Sequence, residues 1–117
     1  MRILKDWQYQ YIEKCLFNYR LLVNSELDTE KKMISSINEA LEYFKGTSHE
    51  TMIREFYFKR YQYVNRYATV TSFHSYICEQ KLCTEKPNGY VIRREIVYRI
   101  AMNCFQLGLF KNSIDKS

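Results

Sequence analysis

The chain has 117 residues, enough for one domain with its own hydrophobic core. Hydrophobic residues make up 46% of it and aromatic residues 16%, a composition that excludes intrinsic disorder. Three glycines and one proline offer little turn chemistry, which disfavours an all-β sandwich. We therefore predict an all-α domain of five to six helices spanning residues 1–117.

Two helices are predicted in the first part of the chain. The spacing of apolar residues predicts a first helix from Asp6, a plausible cap, to about Val23. A second helix begins after Asp28, and Gly46 ends it. Its apolar stripe consists of Ile34, Ile37, Leu41 and Phe44. Residues 1–47 thus form an N-terminal helical pair.

Three further helices are predicted in residues 48–110, or four if "YQYVNRYA" forms a short helix of its own instead of continuing the first of them. Ser48 caps a third helix over "HETMIREFYFKR", whose inward-facing residues are Met52, Ile53, Phe56 and Tyr57. Thr71 or Ser72 caps the next helix, and "CTEKPN" forms a loop after it. The last helix runs from near Asn88 to about Gly108.

The basic excess lies almost entirely in the second half of the chain. Residues 1–50 hold 7 Lys and Arg against 8 Asp and Glu, a balance of −1, whereas residues 51–117 hold 11 against 5, a balance of +6. This asymmetry favours an anionic partner, most often nucleic acid. The alternative is a solvated basic face without a partner.

Motifs for membrane insertion, secretion, metal binding and catalysis are weak or missing. No run approaches the ~20 apolar residues of a membrane span, and the first ten residues lack a secretory signal, so the cytosol is expected. His74, Cys78 and Cys83 share part of a zinc pattern, but no short cysteine pair completes it, and Cys15 and Cys104 sit at core-like positions. No catalytic motif is present. We predict neither a metal, a cofactor nor an enzymatic activity.

The segment "EFYFKRYQYVNRY" alternates aromatic and basic residues. Such a pattern can stack on bases and grip phosphates of single-stranded nucleic acid. Alternatively, Phe56, Tyr57 and Val64 belong to the core, while Tyr61 and Tyr63 lie at its rim. The helical spacing favours the core interpretation.

The last two predicted helices have the layout of a helix-turn-helix, although a plain helical hairpin fits the spacing as well. At about 100° per residue, one side of the last helix carries Ile92, Ile96, Ile100 and Cys104. The opposite side carries Asn88, Val91, Arg94, Glu95 and Tyr98. Arg93 falls inside the apolar arc, so we expect it to escape at the helix start or to extend toward solvent.

"MIREFYFKR" and "VIRREIVYRIAMNCFQLGLF" together resemble phage-encoded late-gene transcriptional regulators of the ArpU/RinA/LtrC type. The matching residues are Glu55, Phe56, Tyr57 and Phe58, then Arg93, Arg94, Ile96, Val97, Arg99, Ile100 and Ala101, then Leu107 and Gly108. The resemblance covers about half of the chain. It implies a helical protein whose C-terminal half reads promoter DNA as the fourth region of sigma factors does.

The resemblance implies a sequence-specific activator of phage late genes in the cytoplasm of a bacterial host. Its partners would be double-stranded promoter DNA, host RNA polymerase and a small inhibitory protein from a phage satellite or pathogenicity island. The residues that read or approach bases would be Asn88, Val91, Arg94 and Tyr98, and the phosphate contacts Lys81, Lys86, Arg93 and Arg99; Tyr90 would also belong to the DNA-binding surface. The acidic N-terminal half would form a homodimer or touch the polymerase.

A second class of function is also compatible with the sequence. In this alternative the protein is a small helical interaction module that binds and modulates a phage or host regulator. An exposed aromatic patch would then be expected, formed by Tyr61, Tyr63, Tyr67 and Tyr76.

Overall fold

The computed structural model describes residues 4–59, 66–80 and 88–110. These residues form six α-helices and one π-helical turn, with no β-strand among them, so the predicted all-α class is confirmed. In chain order the elements are α1 (Asp6–Phe17), α2 (Tyr19–Leu22), α3 (Asp28–Tyr43), α4 (Ser48–Met52), the π-turn (Ile53–Tyr57), α5 (Arg66–Gln80) and α6 (Gly89–Gln106).

The first predicted helix is divided in two at Asn18. The chain leaves helical geometry there, with φ −99° and ψ 16°, and resumes as the short helix α2. This bend directs Tyr19 toward α3, where its hydroxyl donates a hydrogen bond to the Asn38 side-chain oxygen at 2.5 Å. The predicted span from Asp6 to about Val23 is therefore helical except for this bend at Asn18, which the apolar spacing does not indicate.

Helix α3 matches its prediction closely. It begins at Asp28, and the chain turns at Gly46, whose φ of +81° is the left-handed conformation that glycine adopts most easily. Of the predicted stripe, Ile34, Ile37 and Phe44 are buried and Leu41 is half-buried. Their spacing was enough to identify the buried face of this helix.

The third predicted helix is present but irregular. Thr47, one residue before the predicted Ser48, provides the cap by accepting a hydrogen bond from the His49 backbone N–H at 3.2 Å. After Met52 the chain widens into the π-turn, in which the Phe58 N–H donates to the Ile53 carbonyl at 3.0 Å. The predicted inward residues Met52, Ile53, Phe56 and Tyr57 are all fully buried.

Helix α5 begins earlier than predicted. It starts at Arg66, so neither Thr71 nor Ser72 is a cap; both lie inside the helix. Thr69 is buried one turn after the start, and such tertiary burial overrides the weak helix preference of β-branched residues. The loop predicted at residues 83–88 lies outside the described residues except for Asn88, and so does Val64.

Helix α6 is the central element of the core. It packs most extensively against α3 and also contacts α1 and α4. Deep in the α3–α6 contact, the Asn103 side-chain amide donates to the Ser36 carbonyl at 3.0 Å. One hydrophobic core therefore joins residues of the predicted 1–47 and 48–110 parts. In the described parts of the chain, no helix combines the length and apolar character required to cross a bilayer.

The start of α6 lies directly against α5 at Gly89. A β-carbon at this position would come within 2.8 Å of Ile77 Cγ1 and 2.9 Å of Ile77 Cδ1. Because Ile77 is fully buried, it has little room to move away. Gly89 is thus required by close packing between the two helices, although its backbone is helical.

We expect Gly89→Ala to lower the free energy of unfolding by about 1 kcal/mol. The clash with Ile77 destabilises the fold by more than the higher helix propensity of alanine stabilises it. Urea denaturation monitored by circular dichroism measures this change. Ile77→Val, which removes Cδ1, should cost less in the Gly89→Ala background than in the wild type. Unchanged or increased stability of Gly89→Ala would contradict the proposed close packing.

Candidate nucleic-acid interface

The two faces of α6 have the predicted character. Ile92, Ile96, Ile100 and Cys104 are buried with at most 1% exposure, whereas Arg94 and Glu95 on the opposite side are exposed. The predicted boundaries of this helix, Asn88 to about Gly108, are also close to those observed. The angular assignment made from the sequence is therefore confirmed for the body of the helix.

Asn88 is the N-cap of α6. Its side-chain oxygen accepts hydrogen bonds from the backbone N–H groups of Tyr90 at 3.0 Å and Val91 at 3.1 Å. Such a cap stabilises a helix by about 1 kcal/mol. The side-chain oxygen of Asn88, a predicted base-reading residue, therefore already accepts hydrogen bonds from the backbone of α6. The side-chain N–H₂ group is the part that remains for other contacts.

Arg93 is not placed as the sequence suggested. Its guanidinium neither escapes at the helix start nor contacts phosphate from the surface, but binds the buried carboxylate of Glu13 on α1. Arg93 Nε lies 2.6 Å from Glu13 Oε2, and a terminal guanidinium nitrogen lies 2.8 Å from Oε1. We assign Arg93 to this internal ion pair and remove it from the expected phosphate contacts.

Aromatic residues complete the surroundings of the ion pair. Tyr57, fully buried in the π-turn, donates its hydroxyl to Glu13 Oε2 at 2.6 Å. The Arg93 guanidinium carbon lies 4.9 Å from the centre of the Phe73 ring and 5.6 Å from that of Tyr9. Cations in these positions are attracted by the ring faces. Three helices and the π-turn therefore meet at one buried charge cluster.

Burial and charge shift the pKa values of this cluster. Burial raises the pKa of Tyr57 well above its usual value, and the neighbouring Glu13 charge raises it further. Burial likewise raises the pKa of Tyr9 to about 12, although the Arg93 charge opposes the shift. For Arg93, burial would lower the pKa, but the Glu13 hydrogen bonds and charge outweigh it and raise the pKa above its usual value.

The three arginines of α6 have different surroundings. Arg94 is exposed and forms no hydrogen bond or ion pair with any described residue. Arg99 is half-buried, with its guanidinium carbon 4.0 Å from the centre of the Tyr43 ring and its Nε buried without a hydrogen bond. With Arg93 bound to Glu13, Arg94 is the most exposed arginine of α6 and has no partner among the described residues.

Three of the remaining predicted contact residues lie on α6 with Arg94. Tyr90 is 46% exposed, and its hydroxyl lies 2.7 Å from His74 Nδ1 on α5. Val91 is half-buried, and so is Tyr98, whose ring packs edge-on against Tyr9 at 6.5 Å. Lys81 and Lys86 lie outside the described residues. The structure thus brings Tyr90, Val91 and Arg94 together on the exposed first half of α6.

The acidic residue on this face is held by a histidine. Glu95 Oε1 lies 2.7 Å from His49 Nε2, and the His49 ring stacks on Phe44 at 4.4 Å. This contact joins α4 to the outer side of α6. No sequence pattern predicts this contact, because 46 residues separate the two partners.

The described residues contain no group of three possible metal ligands. His74 Nε2 and Cys78 Sγ lie 3.8 Å apart, while Cys83 is outside the described residues. Burial raises the pKa of both the Cys15 and Cys104 thiols to about 11, which disfavours the thiolate form that metals bind.

The expected aromatic patch is at least partly absent. Tyr76 is only 2% exposed and packs against Phe56, whereas Tyr61 and Tyr63 lie outside the described residues and Tyr67 outside the described side chains.

Comparison of the chain with models of known protein families, with characterised proteins and with solved structures finds no match.

We expect Arg93→Met to lower the free energy of unfolding by about 3 kcal/mol, because it leaves Glu13 buried without a counter-charge. The matched control is Arg94→Met on the adjacent exposed position, which should change stability by less than about 0.5 kcal/mol. Urea denaturation of both variants measures the difference. Equal effects of the two substitutions would contradict the structural role of the ion pair.

Stability should also fall at alkaline pH. The pKa of Tyr57 in the folded protein is raised above the ordinary 10.0 of the unfolded chain. The contribution of the protonated Tyr57 hydroxyl to the free energy of unfolding is therefore complete below pH 10.0 and is lost as the pH rises further. Tyr57→Phe should cost about 1.5 kcal/mol at neutral pH, through loss of a hydrogen bond to a carboxylate, and should flatten the alkaline decline. Urea denaturation across this pH range measures both effects; an unaltered decline would rule out Tyr57 as its source.

Proposed function

We propose that this protein is a sequence-specific DNA-binding activator of phage late genes that contacts host RNA polymerase at the promoter. The observation that carries the proposal is the exposed Arg94 guanidinium on the outer face of α6, which has no hydrogen-bond or ion-pair partner among the described residues. The acidic residue next to it, Glu95, already has a partner within the chain, because its Oε1 lies 2.7 Å from His49 Nε2.

The residues around Arg94 have the chemistry of a base-reading helix. A guanidinium can donate two parallel hydrogen bonds to O6 and N7 of guanine in the major groove. The Val91 side chain can contact a thymine methyl group, and the Tyr90 hydroxyl can bond a base edge or a phosphate. All three residues lie in the first half of α6, the part that a recognition helix presents to bases.

The contact between α5 and α6 supports a helix-turn-helix arrangement. The Phe73 ring packs edge-on against Tyr90 at 5.6 Å, and Ile77 lies against Gly89. Thus α5 supports the first turn of α6, as the first helix of the motif does. The +6 balance of residues 51–117, to which Lys81 and Lys86 contribute, supplies positive charge for phosphate contacts.

The resemblance of "VIRREIVYRIA" and "EFYF" to phage late-gene regulators of the ArpU/RinA/LtrC type supports the choice of promoter and polymerase. In this proposal the acidic N-terminal half contacts polymerase or a second copy of the chain in the cytoplasm of the bacterial host. A small inhibitory protein from a phage satellite or pathogenicity island would act on the same complex.

The test begins with selection of binding sites by the full-length protein from a library of randomised DNA duplexes. We expect enrichment of one sequence class. Arg94→Ala should weaken binding to that site by about 1–3 kcal/mol, because a two-bond contact to guanine is lost. Arg20→Ala removes an exposed arginine from α2 and is the matched control; it should leave the affinity unchanged.

Fluorescence anisotropy at several salt concentrations separates base contacts from phosphate contacts. Affinity should fall as salt rises, because each phosphate contact releases bound counterions. Equal weakening of selected and random duplexes by Arg94→Ala would assign this residue to phosphate binding and contradict base reading. Failure to enrich any sequence, together with no duplex binding at low salt, would refute the function.

A further inference from the structure

A groove lies between α2, α3 and the residues around the π-turn, and no residue of α5 or α6 lines it. Its volume is about 610 Å³, within the ~300–1,000 Å³ of ligand-binding pockets. Tyr19, Leu41 and Phe58 form its apolar surface, and Arg20, Arg54 and Lys59 provide its positive charge. None of the described residues that line it is acidic.

The apolar surface is held in a defined arrangement. The Tyr19 and Phe58 rings stack with centres 4.5 Å apart and planes 17° from parallel. The Tyr19 hydroxyl is fixed by its bond to Asn38, which also lines the groove. A surface that is ordered before binding loses less entropy when a ligand arrives.

The positive charges differ in how far they are compensated. Arg54 Nε donates to Glu50 Oε2 at 3.0 Å, and Glu50 Oε1 accepts from the Gly46 N–H at 2.8 Å. The hydrogen bond from the Gly46 N–H has the larger effect and that from Arg54 the smaller, and both lower the pKa of Glu50. Arg20 and Lys59 form no ion pair or hydrogen bond with a described residue. Two uncompensated cations therefore flank an apolar surface.

We propose that this groove binds a short acidic segment of a partner protein, with carboxylates at Arg20 and Lys59 and one apolar side chain on the Tyr19–Leu41–Phe58 surface. The partner is identified by charge complementarity, since the described lining residues combine an apolar surface with cations and include no acid, and two of these cations, Arg20 and Lys59, have no partner among the described residues.

The charge around the groove favours a short segment over a long polyanion. Glu39 and Glu42 are exposed on α3, next in sequence to the groove residues Asn38 and Leu41. Residues 1–50 as a whole carry a balance of −1. A nucleic-acid backbone running beyond the groove would meet these acids, whereas a short peptide can place its carboxylates on the cations alone.

The probe is a fluorescein-labelled peptide, acetyl-EDLFDE-amide, titrated with the full-length protein and followed by anisotropy. Removal of one exposed cation should weaken binding about three- to fivefold in Arg20→Ala or Lys59→Ala, and the double variant should lose about tenfold or more. The peptides QNLFNQ and EDSSDE, which lack the charges or the apolar anchor, should each bind at least about tenfold more weakly.

Arg94→Ala is the matched control and makes the two sites separable. It should leave peptide binding unchanged, just as Arg20→Ala should leave DNA binding unchanged, so either proposal can fail alone. Absence of peptide binding to the wild type would overturn the groove proposal. Equal weakening by Arg94→Ala and Arg20→Ala would overturn it as well, and so would displacement of the peptide from the groove by oligothymidylate.

Discussion

The buried contact between Glu13 and Arg93 constrains the rest of the structure more than any other single interaction. A carboxylate with 3% exposure is tolerated only if a counter-charge and hydrogen-bond donors accompany it. Arg93 on α6 supplies the charge and two donors, and Tyr57 supplies a third hydrogen bond. Helix α1, helix α6 and the π-turn are thereby held together in one relative position.

This contact also fixes the rotation of α6 about its axis. With Arg93 turned inward to Glu13, the next residue points about 100° away and reaches the surface. Arg94 is exposed for that reason, although the two arginines are adjacent and chemically identical. The internal ion pair and the proposed base contact are therefore linked, because the orientation that satisfies Glu13 is the one that presents Arg94.

The sequence predicted what depends on local periodicity. It identified the α class, the buried stripe of α3 and the buried side of α6, because apolar spacing records which face of a helix is covered. It missed partners that are distant in the chain. The Glu13–Arg93 contact spans 80 residues, so neither position could signal the other, and Arg93 was taken for a surface cation.

The misplaced helix boundaries have the same origin. The bend at Asn18 and the start of α5 at Arg66 depend on tertiary contacts that local helix preference does not encode. The groove was not predicted at all, because its lining residues come from separate stretches of the chain. Each of those stretches looks like an ordinary polar surface when read alone. Arg94, by contrast, was identified correctly as exposed from its angular position.

The π-turn gives the groove a tolerance of chain length that its composition does not reveal. A π-turn closes its hydrogen bond over five residues, one more than an α-helical turn, as the Phe58 to Ile53 bond shows. Deletion of one residue from 55–57 with a return to α-helical winding would rotate Phe58 and Lys59 relative to Arg54 by much less than the ~100° step between neighbouring residues, because the lost residue and the tighter winding offset each other. Homologues that differ by this deletion would keep the groove residues and nearly their arrangement.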